Sequence, residues 1–193
     1  MIGPLEITAN IASSACILLA GRNNIHTWWT GIVGCTLFAV LFYHTQLYAD
    51  VVLQVFFVVT GLVGWVQWLR GHRGDVLPIT HARIRTLTLI LPIALSATAA
   101  YGALLHYYTN AYAPFFDSAV LVFSVVAQFL LMQRKVDNWP FWILVNSIAV
   151  PLYASRGLYL TSFLYGVYWI NAVLSWFWWR RLARAGAMEV MPA

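Results

Sequence analysis

Trp65-Val66-Gln67-Trp68-Leu69-Arg70 and, 111 positions later, Trp176-Phe177-Trp178-Trp179-Arg180-Arg181 close two apolar runs on one pattern, Trp-x-x-Trp-x-Arg. The echo extends upstream. Leu47-Tyr48 precedes the first run as Leu158-Tyr159 precedes the second, and Asn24-x-x-x-Trp28 answers Asn138-x-x-x-Trp142 at an offset of 114. A chain with ten tryptophans can produce one such match by chance. Three matches at nearly one spacing indicate two copies of an ancestral unit.

The runs so framed are membrane spans. Of 193 residues, 62% are hydrophobic and 9% charged, whereas a soluble domain has roughly 45–50% and ~25%. A bilayer crossing needs ~20 mostly apolar residues. Charges, Pro and Gly mark off seven candidates: Leu5–Gly21, Thr27–His44, Val51–Leu69, Thr86–Tyr108, Phe115–Met132, Trp139–Ala154 and Leu158–Trp179. Their apolarity is continuous instead of alternating, which predicts helices and not barrel strands. The first run has no basic segment before it and no small-residue cleavage site, so it reads as a retained span and not a signal peptide. The predicted fold is an all-α membrane protein of seven transmembrane helices, one polytopic domain over residues 1–193. Its order is 3+1+3: a three-helix repeat over 5–69, a linker helix over 86–108 and a second repeat over 115–179. The linker restores orientation, which makes the repeats parallel, and folds of this kind seat substrate between the repeats near the bilayer midplane.

The formal net charge is +5. Arg22, Arg70, Arg73, Arg83, Arg85, Arg134, Lys135, Arg180, Arg181 and Arg184 follow spans one, three, five and seven, and Arg156 alone falls on the other face. Because positive loops stay cytoplasmic, the N-terminus is expected outside and the C-terminus inside. Topology accounts for the basic residues without a nucleic-acid partner; the lipid bilayer is the partner the composition demands.

Several chemistries are excluded by what the spans lack. The only lysine, Lys135, lies in a loop, so a retinal Schiff base has no attachment point. No cation sits mid-span to match a phosphorylated substrate. Glu6, Asp50, Asp75, Asp117, Asp137 and Glu189 fall near span ends or in loops, which indicates neither a proton relay nor a buried sodium site. His26, His44, His72, His81 and His106 lack metal-helix spacing, and Cys16 and Cys35 stand singly in apolar runs, so neither metal nor cofactor is expected. His44 and Asp50 could meet at the outer face as a surface hydrogen bond. There is no phosphate-cradling GxxxxGK[ST] loop, so ATP does not power the chain, and an enzyme is not expected.

What remains is neutral polarity among aromatics. Trp139, Trp142 and Asn146 are spaced i, i+3, i+7 and share about 60° of one helix face. Asn146 lies roughly 10 Å inward of Trp139 at ~1.5 Å per residue. Tyr165 and Tyr168 share a face of the seventh span with Asn171 one turn beyond, while Gln54 and Gln128 place amides in spans three and five. Any one amide can be a helix–helix hydrogen bond of ~0.6 kcal/mol. Trp28, Trp29, Trp176, Trp178 and Trp179 read as interfacial anchors. Together, four amides and several aromatic rings suit a small, flat heterocyclic substrate. Rings hold its faces and attract a cationic ring, and amides pair with a carboxamide or ribose hydroxyls.

Trp139-x-x-Trp142-x-x-x-Asn146, preceded by Asn138 and by Arg134-Lys135, resembles the helix-six signature of the PnuC family of nicotinamide riboside transporters. Gln46-Leu47-Tyr48-Ala49-Asp50 through Leu53-Gln54-Val55-Phe56-Phe57 to Gly64-Trp65 is similar to that family's third helix. The likeness covers about residues 20–70 and 115–180. It implies a 3+1+3, SWEET-like fold, a homotrimer in the bacterial inner membrane, and facilitated diffusion of an unphosphorylated vitamin precursor that a cytoplasmic kinase then traps. It also implies that Trp142 stacks on the pyridine ring, that Asn146 bonds polar groups of the ligand and that Gln54 faces them. Tyr168 and Asn171 depart from the family's Tyr-x-x-x-Asn spacing. The resemblance therefore puts nicotinamide riboside first and leaves thiamine, riboflavin and deoxynucleosides open. A membrane receptor or scaffold is the alternative outside transport.

Overall fold

The computed structural model describes residues 4–44, 48–71, 77–109, 112–155, 157 and 159–189. The Leu-Tyr echo, the His44–Asp50 contact and Arg156 involve Leu47, Leu158, the Asp50 side chain and position 156, which lie outside the described residues. Seven helices are described: α1 (Pro4–Gly21), α2 (His26–His44), α3 (Tyr48–Arg70), α4 (Ile84–Tyr108), α5 (Pro114–Met132), α6 (Asn138–Ser155) and α7 (Tyr159–Glu189). Each expected run is a helix, with starts shifted by at most three residues. The far end of α7 differs more. It continues ten residues past Trp179 because Arg180-Arg181-Leu182-Ala183-Arg184-Ala185 is a run of strong helix formers, so its arginines ride on a helix and not in a tail.

By length and composition, α1, residues 53–70 of α3, α4 and α5 suffice to cross a membrane, and α2 holds a shorter apolar stretch, His26–Leu41. Helices α6 and α7 do not meet that measure. Their Asn, Tyr and Trp residues, the candidate site residues among them, dilute the apolar content.

The chain forms two compact units, Met1–Pro78 and Ile79–Ala193. In the first, α1 packs on α2 and α2 on α3. Small residues let α1 and α2 approach closely: a Cβ on Gly31 would lie 2.9 Å from Cys16 Sγ, and one on Gly34 2.6 Å from Ser13 Oγ. The Thr27 hydroxyl donates to the Cys16 carbonyl at 2.8 Å. On the other side of α2, Trp28 meets Trp68 of α3 edge to face, with ring centroids 5.2 Å apart. Gly64 makes room, since a Cβ there would run into the Trp28 ring.

In the second unit α4 packs on α5, α5 on α6 and α6 on α7. Its core joins Ala94 of α4 to Ala119, Phe123, Ala127 and Leu130 of α5 and to Phe141 and Val145 of α6, with Phe123 and Phe141 stacked. Trp139 meets Trp179 edge to face at 5.5 Å.

The turns α1–α2 and α5–α6 repeat each other bond for bond. Helix α1 ends on Asn23 at φ 54°, whose N–H reaches Ala20 O (3.0 Å) while Asn24 N–H reaches Leu19 O (2.9 Å). Helix α5 ends on Arg134 at φ 51°, with Arg134 N–H to Leu131 O and Lys135 N–H to Leu130 O, both 2.9 Å. Both are Schellman closures around a left-handed residue. The next helix then opens with Thr27 N–H to Asn24 O (3.1 Å) and Trp28 N–H to Ile25 O (3.2 Å), or Asn138 N–H to Lys135 O (3.1 Å) and Trp139 N–H to Val136 O (3.2 Å).

All these pairs, and the two tryptophan contacts, are 111 positions apart. The counterpart of Trp28 is therefore Trp139, and the expected equivalence with Trp142 at 114 is corrected. Identical letters suggested the longer offset, but the cap sets the helix register. Two anchor assignments change as well: Trp28 is 3% exposed and Trp179 0%, both buried between helices, whereas Trp29 and Trp178 are exposed.

Candidate functional site

The start of α6 is tied down by a segment distant in sequence. Thr80, ahead of α4, donates its N–H to Arg134 O (3.2 Å) and accepts Val136 N–H (2.9 Å). Lys135 Nζ donates to Thr80 Oγ1 at 2.7 Å. Asp137 Oδ2 accepts Ala82 N–H at 2.6 Å, and His81 Nδ1 lies 3.5 Å from the same carboxylate. Inside this clasp Arg134 is buried, and desolvation pulls its guanidinium below the usual arginine range. Arginine nevertheless remains a cation at neutral pH. Sequence reading missed the clasp because its partners stand 55 positions apart with no periodic signal.

From this fixed start α6 presents three faces. Phe141 and Val145 enter the core shared with α5. Trp139, Ser147 and Val150 meet α7, through the Trp179 ring, the Trp169 indole (Nε1 to Ser147 Oγ, 3.0 Å) and the Ser162 hydroxyl (to Val150 O, 2.8 Å). Between these contacts runs a third stripe, Trp142, Asn146, Ala149 and Tyr153, which falls within about 60° of arc on a 3.6-residue helix.

Trp142 is half-buried and packs against the edge of the α5–α6 core. Asn146 is only 5% exposed, and among the described residues its amide makes no hydrogen bond. Nearer the helix start, Asn138 Oδ1 and Trp139 Nε1 are, unlike the Asn146 amide, fully enclosed without a partner, although the other end of the Asn138 amide donates to Lys135 O at 2.6 Å. The Asn146 amide, unbonded within the described fold yet not fully enclosed by it, is open to a polar group from outside the fold.

Tyr153 joins the stripe to α7. Its ring centroid lies 4.9 Å from that of Tyr165 at an interplanar angle of 54°, and Tyr165 lies 5.7 Å from Tyr168 at 56°. Tyr165 and Tyr168 are thus brought together with the α6 stripe through a residue that sequence reading missed. The available signal was Tyr153's position seven residues after Asn146, on the same face. Asn171 is half-buried on α7, one turn past Tyr168. Trp139 is buried against Trp179, at one edge of the stripe. Gln128 is half-buried on α5, about 140° around the helix from Phe123, and so lies away from the α6 contact. Gln54 belongs to the first unit, half-buried on α3. No group of three or more His, Cys, Asp or Glu residues able to hold a metal occurs among the described residues.

The chain as a whole is similar to known membrane transporters. The profile of the nicotinamide mononucleotide transporter family matches residues 3–181. The nicotinamide riboside transporter PnuC of Escherichia coli (strain K12) is 30% identical over 83% of this chain and 78% of its own length. The riboflavin/roseoflavin transporter RibM of Streptomyces davaonensis is 29% identical over 97% of this chain and 91% of its own. The crystal structure of the vitamin B3 transporter PnuC aligns with a TM-score of 0.74 at 24% identity, covering 94% of this chain and 82% of that one, which shows a shared fold.

Proposed function

Because the chain belongs to the nicotinamide mononucleotide transporter family, multi-pass proteins of the bacterial inner membrane, we propose that it imports an unphosphorylated vitamin or nucleoside by facilitated diffusion, nicotinamide riboside first. The carrying observation is Asn146, an amide nine-tenths buried in α6 that the described fold leaves without a hydrogen bond. A carboxamide or ribose hydroxyl would supply the missing partner, since an amide both donates and accepts. Trp142, one turn before it, offers a ring face to the pyridinium by stacking and cation–π attraction. Tyr165, Tyr168 and Asn171 extend the polar and aromatic lining along α7.

The sequence places no charge in mid-span to couple import to protons or sodium. Net uptake then depends on the downhill gradient, maintained by a cytoplasmic kinase that phosphorylates the arriving substrate. The 3+1+3 order of parallel repeats, N-terminus outside, C-terminus inside and homotrimeric assembly belong to the same reading. The matching caps and tryptophan contacts at one offset support the duplication it assumes.

A second substrate, riboflavin, is favoured by a specific observation. Three tyrosine rings stand in sequence from Tyr153, two turns beyond Asn146 on the same face, a longer aromatic surface than a single pyridine occupies, and the riboflavin transporter aligns over nearly the whole of both chains. Counterflow of labelled nicotinamide riboside, riboflavin, thiamine and a deoxynucleoside in proteoliposomes tests the proposal. Exchange of nicotinamide riboside above empty vesicles is expected. Movement of none of the four would leave a receptor or scaffold, and a chemically altered product in the vesicles would indicate an enzyme.

A further inference from the structure

We propose that Tyr153 is a substrate-contacting residue that selects for a flat ring, forming with Tyr165 and Tyr168 a second aromatic station beyond Trp142 and Asn146. This rests on the transporter reading and adds to it a place on the substrate's route. The position of Tyr153 on α6 is the first support. It lies within about 20° of both Trp142 and Asn146 around the helix and ~16 Å and ~10 Å beyond them along its axis. One nucleoside stacked on Trp142 does not span the full separation. The two aromatic groups therefore serve successive positions of a small ligand, or the two ends of a longer one.

Ring geometry is the second support. Tyr165 inclines to Tyr153 at 54°, and Tyr168 to Tyr165 at 56°. Neither contact is a parallel stack, so the three rings present differently inclined aromatic surfaces in one run. Tyr153 is half-buried, which keeps its ring in a defined place without sealing it away.

The third support is the other unit, where the same helix pair packs without the trio. At the 111-residue offset fixed by the caps, Phe42 stands where Tyr153 stands, Gln54 where Tyr165 stands and Phe57 where Tyr168 stands. The first unit keeps rings at two of the three places and sets an amide at the middle one, so an unbroken run of three rings is not a requirement of the repeat's packing. The unbroken run in the second unit, completed by Tyr165 and lying beyond Asn146 on the α6 face, is accounted for by a ligand.

The test compares Tyr153→Phe, which keeps the ring, with Tyr153→Leu, which keeps bulk but loses the aromatic face, by counterflow of labelled nicotinamide riboside and riboflavin. Tyr153→Phe should stay within about twofold of wild type. Tyr153→Leu should slow nicotinamide riboside exchange about fivefold or more, as expected for loss of an aromatic contact, and should change the ratio of the two substrates. Equal behaviour of the two variants overturns the assignment. If Tyr153→Leu does not fold, Tyr153→Cys in a Cys16→Ala, Cys35→Ala background is labelled with a membrane-permeant thiol reagent. Saturating nicotinamide riboside should slow labelling about fivefold, as occupancy of a contacted site excludes the reagent; no protection defeats the proposal. Wild-type vesicles that move neither substrate defeat the transporter reading itself, whereas wild-type transport with Phe and Leu alike defeats only the role of Tyr153.

Discussion

Helices α2 and α6 leave the same capped turn and bury the same tryptophan against the next helix but one turn later they part. Where α6 carries Trp142 and Asn146, α2 carries Gly31 and Cys35 at the 111-residue offset. On the following helix, Tyr165, Tyr168 and Asn171 answer to Gln54, Phe57 and Thr60, and Thr60 spends its hydroxyl on carbonyls of its own helix, Phe56 O at 3.0 Å and Phe57 O at 3.2 Å. In the first unit Gly31 and Gly34 admit α1 to close contact, so that face of α2 is filled by protein. The two units share the parts that set helix register and helix contact. The positions between them diverged, one copy toward tight packing and the other toward an unpaired amide among rings.

The largest effects should come from the shared parts. Trp28→Ala and its counterpart Trp139→Ala each remove a buried indole and should destabilise by about 3–5 kcal/mol, read as lowered melting temperature in detergent. A loss confined to one of the two would break the equivalence of the halves. Asp137 distinguishes them next, because the first unit has His26 at that position. Asp137→Ala removes the acceptor of Ala82 N–H and should destabilise by about 1–2 kcal/mol, with faster amide exchange at residues 79–83. Asp137→Asn retains an acceptor and should lose less. The smallest change in free energy is expected where the halves diverge most. Trp142→Ala should weaken nicotinamide riboside binding about tenfold, the ~1–2 kcal/mol of a partly desolvated cation–π contact, while Gly31→Ala leaves that affinity unchanged. Equilibrium binding to purified protein measures both, and a Trp142→Ala protein with wild-type affinity would remove Trp142 from the site.

Much of the fold was legible from one-dimensional signals. Helices end where charges, Gly or Pro interrupt apolar runs, and those interruptions stand in the sequence, so six of the seven helices end within a residue or so of where they were expected. The seventh overran because its basic tail is also a good helix former. The repeat was visible too, but its register at α2 and α6 was misread from matching letters. The left-handed residues that set it, Asn23 and Arg134, share no side-chain chemistry. In the candidate site, Trp142 and Asn146 were legible as one face of one helix. Tyr153 was passed over, and its contact with Tyr165 spans two helices and a turn.

Composition and spacing alone determined that this chain is helical, built for lipid and free of charge in mid-span, because each of these is a property of residues near one another along the backbone. Only the tertiary structure decided which tryptophans pair across helices, that residues 80–82 clasp the start of α6, and that Tyr153 meets Tyr165 across two helices. Those facts depend on which side chains from distant positions occupy the same space, and a helix register that differs by three residues turns its faces by about 60° and changes every such neighbour.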